Sequence, residues 1–127
     1  MKLTTPKTDK YIAAVDSVVR DVLVICRLPP DVLALADSLK MELQRRSLQE
    51  LRSYTALIRG ILTRGGTPRD RCKEIIREVG RPAGQSAFEV GINIGAFDSR
   101  MSRLGPEVEG KLPAILARAE KELKALP

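Results

Sequence analysis

Histidine and tryptophan are absent from this 127-residue sequence, which has only two tyrosines, two phenylalanines and two cysteines. Without histidine, the chain lacks the side chain that most often acts as a general base near neutral pH and as a metal ligand. The cysteines, Cys26 and Cys72, form no Cys-x-x-Cys pair, so a zinc or haem site has no plausible set of ligands. We therefore expect no metal and no cofactor.

Other arrangements used in catalysis are also missing. The glycine-containing segments 64–66 and 91–95 lack the pattern of a phosphate-binding loop, and the carboxylates are dispersed among basic neighbours. Cys72 lies near Arg69 and Arg71, a setting that can activate a thiol, but it occupies an apolar helical position and is expected to be buried. The sequence thus predicts a protein that is not an enzyme and indicates no small-molecule substrate.

Long apolar runs are missing as well. No stretch approaches the roughly 20 residues that a membrane-spanning helix needs, and the charged first ten residues do not lead into an apolar run as a signal peptide would. We expect no association with a membrane, a cytoplasmic location, and free buried thiols at both cysteines.

Aliphatic residues at helical spacing are plentiful. Apolar side chains recur every three or four residues, which predicts amphipathic helices over about 8–26, 31–43, 47–64, 68–79 and 112–126. The positions expected to be buried are Tyr11, Ile12, Val15, Val18, Val19, Val22, Cys26, Val32, Leu35, Ala36, Leu39, Leu43, Leu48, Leu51, Tyr54, Ile58, Ile61, Cys72, Ile75, Ile76, Val79, Ile115, Leu116, Ala119 and Leu123. Because aromatics are few, the core is expected to be aliphatic.

These elements predict an all-α fold, a compact bundle of five to seven helices in a single domain over residues 1–127. Ser47 and Glu50 have the spacing of a capping box, and Thr67-Pro68 has the form of a helix start. Gly65-Gly66 is a candidate hinge between a three-helix lobe, 8–64, and a second lobe, 67–127, with a three-helix unit and a C-terminal helix. The undivided and the two-lobe arrangement both fit the pattern.

The net charge of +6 is concentrated in one part of the chain. Residues 45–81 hold ten basic and four acidic residues, so this segment accounts for the whole formal excess, while the segments on either side are balanced. The ten basic residues, predicted to bind phosphate, are Arg45, Arg46, Arg52, Arg59, Arg64, Arg69, Arg71, Lys73, Arg77 and Arg81. Nine are arginine, whose planar guanidinium group can bind a phosphate at two points.

Spacing adds to the charge signal. Arg45, Arg52 and Arg59 recur every seven residues and would form one stripe along the third helix, able to follow a run of phosphates. Two other interpretations stay open. The segment can be a solvated helix face, partly neutralised by pairs such as Glu74 with Arg77 and Glu78 with Arg71, or it can bind an acidic protein.

Gly91 and Gly95 weaken a continuous helix over residues 85–104, so we predict two short helices joined near Gly95. The segment 87–104, AFEVGINIGAFDSRMSRL, resembles a helix-turn-helix, with small residues where the helices cross and turn. The resemblance implies that helix 68–79 supports a unit over 68–104. It also implies that the second short helix presents Ser99, Arg100, Ser102 and Arg103 to the major groove of DNA.

The segment 22–62 is also similar to ribbon-helix-helix proteins. VLVICRLPPDVLALADSL resembles the short strand, the Arg-Leu-Pro junction and the first helix of that family. The resemblance implies that Leu23, Ile25 and Arg27 face the bases from the strand. The helical periodicity of residues 8–26 points instead to a helix through the same residues.

The combined signals predict a non-catalytic nucleic-acid-binding protein of regulatory or accessory type, with DNA and RNA both open as partners. The alternative is a helical interaction subunit or adaptor in a larger complex, which can include nucleic acid. In that interpretation the helix at 8–26 or at 112–126 docks on a protein partner or on a second copy. The near-heptad apolar spacing of 8–26 fits a dimer contact, and it fits packing in the core equally well.

Overall fold

The computed structural model describes residues 5–25 and 30–127, which form seven α-helices and no strand. The helices are α1 (Pro6–Ile25), α2 (Pro30–Leu43), α3 (Leu48–Thr63), α4 (Pro68–Gly80), α5 (Ala87–Leu104), α6 (Pro106–Glu109) and α7 (Leu112–Lys124). The predicted all-α bundle is confirmed. The predictions for the side chains of Cys26, Arg27 and Val32 lie outside the described residues.

Helix α1 lies at the centre of the bundle. It contacts α2, α3, α4 and α7, and its predicted apolar face from Tyr11 to Val22 is almost fully buried. The buried face of α7, with Leu116 and Leu123, is also part of the core. The predicted apolar faces of both helices are therefore covered within the described part of the chain, and docking of either helix on a partner stays a prediction.

One hydrophobic cluster includes residues of both predicted lobes. Contacts of α1 and α2 with α4, and of α3 with α7, join the two parts of the chain. Gly65 and Gly66 are exposed in the connection between α3 and α4. A hinge at these glycines stays a prediction.

The predicted helix starts at Ser47 and Thr67 are confirmed. Glu50 N donates to Ser47 Oγ at 3.2 Å and Ser47 N donates to Glu50 Oε1 at 3.2 Å, which is a complete capping box. Asp70 N donates to Thr67 Oγ1 at 3.1 Å, with Pro68 in the first helical position. These bonds satisfy amide groups that would otherwise lack helical partners, so they fix where α3 and α4 begin.

Removing the Ser47 cap should therefore destabilise the protein measurably. We expect Ser47→Ala to lower the free energy of unfolding by about 1 kcal/mol, because an amide group of the first turn loses its acceptor. Urea titration followed by circular dichroism measures the change. Ser53→Ala, at an exposed position within α3, is the matched control and should change stability by less than about 0.5 kcal/mol. Equal effects of the two substitutions would contradict a capping role.

Helix α5 is continuous from Ala87 to Leu104, so the predicted break near Gly95 is wrong. A capping box of Ser86 and Glu89 fixes its start, and four residues of its inner face, Val90, Asn93, Phe97 and Met101, are buried. Each glycine costs a helix roughly 1 kcal/mol relative to alanine. Packing of the inner face offsets this cost, since tertiary packing supplies most helix stability in proteins.

The structure has neither the turn that a helix-turn-helix requires within 87–104 nor the strand that a ribbon-helix-helix requires over Val22 to Ile25. A helix-turn-helix within 87–104 needs a turn, and this segment is one helix, with Ser99, Arg100, Ser102 and Arg103 on its last turns. The strand implied by the ribbon-helix-helix resemblance is also wrong for Val22 to Ile25. These residues belong to the last turn of α1, and Leu23 is buried in the core. Arg27 lies outside the described residues. Helices α4 and α5 pack against each other, but a DNA-binding role for the pair stays a prediction.

Gly80 allows the close junction between α4 and α5. A Cβ atom at Gly80 would lie 2.6 Å from Val90 Cγ2 and 2.9 Å from Gln85 Oε1, distances that real Cβ atoms do not adopt. Gln85 N donates to Gly80 O at 2.9 Å, and Gln85 Oε1 accepts a bond from Asn93 Nδ2 at 3.0 Å. The junction thus connects the end of α4 to the buried Asn93 of α5.

Candidate nucleic-acid interface

The ten predicted phosphate-binding residues lie on three parts of the fold. Arg45 and Arg46 lie in the turn before α3, Arg52 and Arg59 on α3, and Arg64 at its C-terminal cap. Arg69, Arg71, Lys73 and Arg77 lie on α4, with Arg81 at its end. Because α3 begins at Leu48, Arg45 is not on this helix, and the predicted stripe of three arginines is shorter than expected. It consists of Arg52 and Arg59.

Arg46 and Arg77 pair with carboxylates close in sequence. Arg46 donates to Glu42 at 2.9 Å and to Glu50 at 3.2 Å. These bonds raise the pKa of Arg46, and the hydrogen bond to Glu50 has the largest effect. Arg77 pairs with Glu74, as predicted. A guanidinium group that is already paired has less to gain from a phosphate, since the existing partner must first be displaced.

Arg69 and Lys73 connect helices. Arg69 Nε lies 2.9 Å from Glu109 Oε1 of α6 and its Nη1 lies 3.6 Å from Asp98 Oδ1 of α5, while Lys73 Nζ lies 2.8 Å from Asp98 Oδ2. These half-buried cations hold α4 against α5 and α6. Their arrangement favours a structural role over phosphate binding.

Arg71 also has a structural position. Its Nη1 donates to the carbonyl oxygen of Leu62 at 3.0 Å, which satisfies an acceptor in the last turn of α3. Its Nε is buried and has no hydrogen-bond partner among the described residues. The predicted pair of Arg71 with Glu78 is not formed, because the guanidinium group is directed at the end of α3.

Arg52 and Arg59 have a different setting. Both are exposed, and neither forms an ion pair within residues 5–25 and 30–127. Arg52 Nε donates to Tyr11 Oη at 3.4 Å, beside a cleft of about 200 Å³ between α3 and the end of α7. The cleft is lined by both arginines, by Thr55, by apolar residues such as Leu123, and by Tyr11 and Pro127, whose main-chain oxygen accepts a hydrogen bond from Tyr11 Oη; no acidic side chain of the described residues lines it. We call these two residues the Arg52–Arg59 face.

The other side of α3 carries charges of both signs. A cavity of about 360 Å³ is lined by Arg46, Arg81, Glu50 and Glu78, together with Tyr54. Glu50 and Glu78 would repel a phosphate there. The ten cations therefore do not form one surface. Arg45, Arg64 and Arg81 are the other three of the ten that are exposed without an ion pair in the described part of the chain.

The four predicted base-reading residues lie along the C-terminal half of α5. Ser99, Ser102 and Arg103 are exposed, and Arg100 is half-buried. Ser102 Oγ lies 3.4 Å from Arg69 Nη1, so this side chain is beside the ion pairs that join α4 to α5. The residues do not form a separate recognition helix, and reading of bases by them stays a prediction.

The sequence prediction missed two features of the surface. Lys7 is exposed one helical turn before Tyr11 on α1, and Tyr11 contacts Arg52, so Lys7 is a candidate extension of the Arg52–Arg59 face. The four-residue spacing of Lys7 and Tyr11 could have indicated this extension, because residues four apart lie on the same side of a helix. The second feature is the exposure of Phe88 and Ile92 on α5, which follows from the orientation of a helix that was expected to break.

Cys72 is buried with a free thiol, as predicted, and burial raises its pKa from 9.0 to about 12. Among residues 5–25 and 30–127, no cluster of three metal-ligating side chains is found. No helix in these ranges has the length and apolarity to cross a membrane.

Comparisons of the chain with protein-family models, with curated proteins and with solved structures gave no significant match.

Proposed function

We propose that this chain is a non-catalytic nucleic-acid-binding protein of regulatory or accessory type, which binds backbone phosphates through the Arg52–Arg59 face. The observation that carries the proposal is the setting of these two side chains. They are exposed, lie on one side of α3, and have no carboxylate partner among the described residues. Most other cations of residues 45–81 pair with carboxylates or bond to the backbone.

The spacing of the two arginines suits a polyanion with regular charges. Seven residues of α-helix place them about 10.5 Å apart along the axis, roughly three nucleotide steps of duplex DNA. Tyr11 Oη accepts a bond from Arg52 Nε, which leaves the terminal nitrogens of the guanidinium group free for a phosphate. An oriented side chain loses less conformational entropy on binding.

The remaining unpaired arginines add attraction without a shared geometry. Arg45, Arg64 and Arg81 raise the positive potential, which speeds the approach of a polyanion and weakens with salt. The five ion-paired or backbone-bound residues contribute less. We limit the proposal to phosphates because few aromatic side chains are available for stacking on bases.

Fluorescence anisotropy with labelled random duplex DNA and with single-stranded RNA, at about 50 and about 200 mM salt, tests this function. The double variant Arg52→Ala, Arg59→Ala should bind about tenfold more weakly or worse at low salt, because a hydrogen bond to a charged group contributes roughly 1.5–3 kcal/mol. Each lost phosphate contact should also reduce the slope of log K against log salt by about 0.9 for the duplex.

The matched control is Arg46→Ala, Arg77→Ala, which removes the same charge from two residues that already have carboxylate partners. This variant should retain most of the affinity. Equal losses in the two double variants would mean that only net charge matters, and no binding of the wild type to either polymer at low salt would refute the function.

A further inference from the structure

The outer face of α5 carries two large apolar side chains in water. Phe88 is 77% exposed and Ile92 is 55% exposed, and they lie one helical turn apart. Residues at these positions and at Gly95, Ser99 and Ser102 follow the alternating four- and three-residue spacing of a helix–helix seam, and all five are exposed. We call this set the α5 outer face.

The glycines of this helix have no internal reason to lack a side chain. A Cβ atom at Gly91 or at Gly95 would meet no atom of the described residues within 4 Å. Each glycine nevertheless costs a helix roughly 1 kcal/mol relative to alanine. With Ser99 and Ser102 they form a surface of small residues against which a second helix can pack closely. Such a helix would also bury the neighbouring side chains of Phe88 and Ile92.

Large and small residues are unevenly distributed along the α5 outer face, and this distribution fits a second copy of the same chain. The bulky residues of this face lie in the N-terminal half of α5 and its small residues in the middle and C-terminal half. An antiparallel second copy that crosses at Gly95 places Phe88 of one chain against Ser102 of the other, since each lies seven residues from Gly95. Large side chains then fill the space beside small ones. A parallel copy would instead place phenylalanine on phenylalanine and serine on serine.

Charge favours the same arrangement. Glu89 near the start of α5 and Arg103 near its end are both exposed, and neither forms an ion pair in the described part of the chain. In the antiparallel copy Glu89 lies close to Arg103 of the other chain, with an offset of only about 3 Å along the axis. Two such pairs form by symmetry at the ends of the contact. The antiparallel helix dipoles also attract.

From these four features we propose that the α5 outer face is the contact of a homodimer, in which two copies of this chain pack antiparallel about Gly95. The contact is isologous, with the same residues on each side. It differs from the Arg52–Arg59 face in helix and in residues, so the two surfaces can be tested separately.

Sedimentation equilibrium of the full chain tests the dimer directly. The wild type should sediment as a dimer, and Ile92→Glu should weaken association at least tenfold, because each copy then buries an unpaired charge. Met41→Glu is the matched control, since Met41 is 63% exposed on α2, away from the contact. A wild type that stays monomeric into the high-micromolar range would overturn the proposal, and would leave the face to a different protein partner.

Charge reversal tests the partner and the direction together. Glu89→Lys and Arg103→Glu should each weaken the dimer severalfold, and the double variant should restore association because both intermolecular pairs are rebuilt with the signs exchanged. Circular dichroism of each variant checks that α5 is still formed, since Glu89 is also part of the capping box. Association of the double variant that is weaker than that of both single variants would contradict the pairing.

Cross-linking in a Cys26→Ser background, with Cys72 buried, distinguishes the two directions. Gly95→Cys should form an intermolecular disulfide, because its Cα lies near the two-fold axis. Phe88→Cys should not, since two such residues lie about 21 Å apart along the axis in the antiparallel pair. A disulfide from Phe88→Cys, without one from Gly95→Cys, would refute the antiparallel arrangement.

Discussion

Replacing Phe97 with alanine should lower the free energy of unfolding by about 3–5 kcal/mol, the range for deleting a fully buried phenylalanine. Phe97 has no exposed surface and lies on the inner face of α5, on the opposite side of the helix from Ile92. The inner face holds α5 on the bundle with Val90 and Met101 as its other buried apolar residues. Loss of the ring leaves a cavity that the neighbouring helices can close only in part.

Phe88→Ala is the matched control for this substitution. It removes the same side chain from the same helix, but the ring at position 88 is 77% exposed, so the unfolding free energy should change by less than about 0.5 kcal/mol. Urea titrations at low protein concentration keep self-association from contributing. Comparable losses for the two variants would mean that α5 is oriented differently on the bundle.

The parts of the fold that were predictable are those fixed by local chemistry. Ser47 with Glu50 and Thr67 with Pro68 are caps made within one helical turn, so their spacing in the sequence already contains the geometry. The apolar period of α1 likewise determines its buried face from Tyr11 to Val22. These features need no knowledge of which helices are neighbours.

Helix α5 shows why prediction failed elsewhere. Gly91 and Gly95 argue for a break by propensity alone, yet the buried contacts of Asn93, Phe97 and Met101 keep the helix intact. Those contacts come from other parts of the chain. The same applies to the exposure of Phe88 and Ile92, which depends on how α5 packs against its neighbours α4 and α6.

The sequence identified the basic residues of the candidate interface, but it could not show which of them are already paired in the folded protein. The local pair of Arg77 with Glu74 follows from helical spacing. In contrast, Arg69 reaches Glu109, forty positions later, and only the tertiary fold brings them together. Arg71 is similar, because its guanidinium group is used by the end of α3. The arginines to which we assign phosphate binding are those that form no ion pair in the described part of the chain, and a count of charges along the sequence cannot identify them.

Salt should weaken binding at the Arg52–Arg59 face strongly and should affect the α5 contact only slightly. Binding through the Arg52–Arg59 face depends on released counterions and should weaken steeply as salt rises. The α5 contact buries apolar side chains, and salt should affect only its two terminal ion pairs. A protein that stays dimeric at about 200 mM salt while it releases nucleic acid would match both proposals.

The burial of Cys72 predicts a marked loss of stability in alkaline solution. The thiol is fully buried in the core, and burial, opposed weakly by the charge of Arg71, raises its pKa from 9.0 to about 12. Below pH 9 the thiol is protonated in the folded and unfolded states alike, so its contribution to stability is fully present. Between pH 9 and pH 12 the unfolded chain releases this proton while the folded chain retains it, so stability falls with rising pH.

The expected slope is about 1.4 kcal/mol per pH unit in this range, relative to a variant without the thiol. Urea titrations of the wild type and of Cys72→Ala at several values above pH 9 measure it. Burial also raises the pKa of Tyr54, with a further contribution from Glu78, so Tyr54→Phe separates the two groups. If the unfolding free energies of the wild type and Cys72→Ala fall in parallel, then the thiol titrates alike in both states. In that case Cys72 is accessible to water and is not part of the closed core.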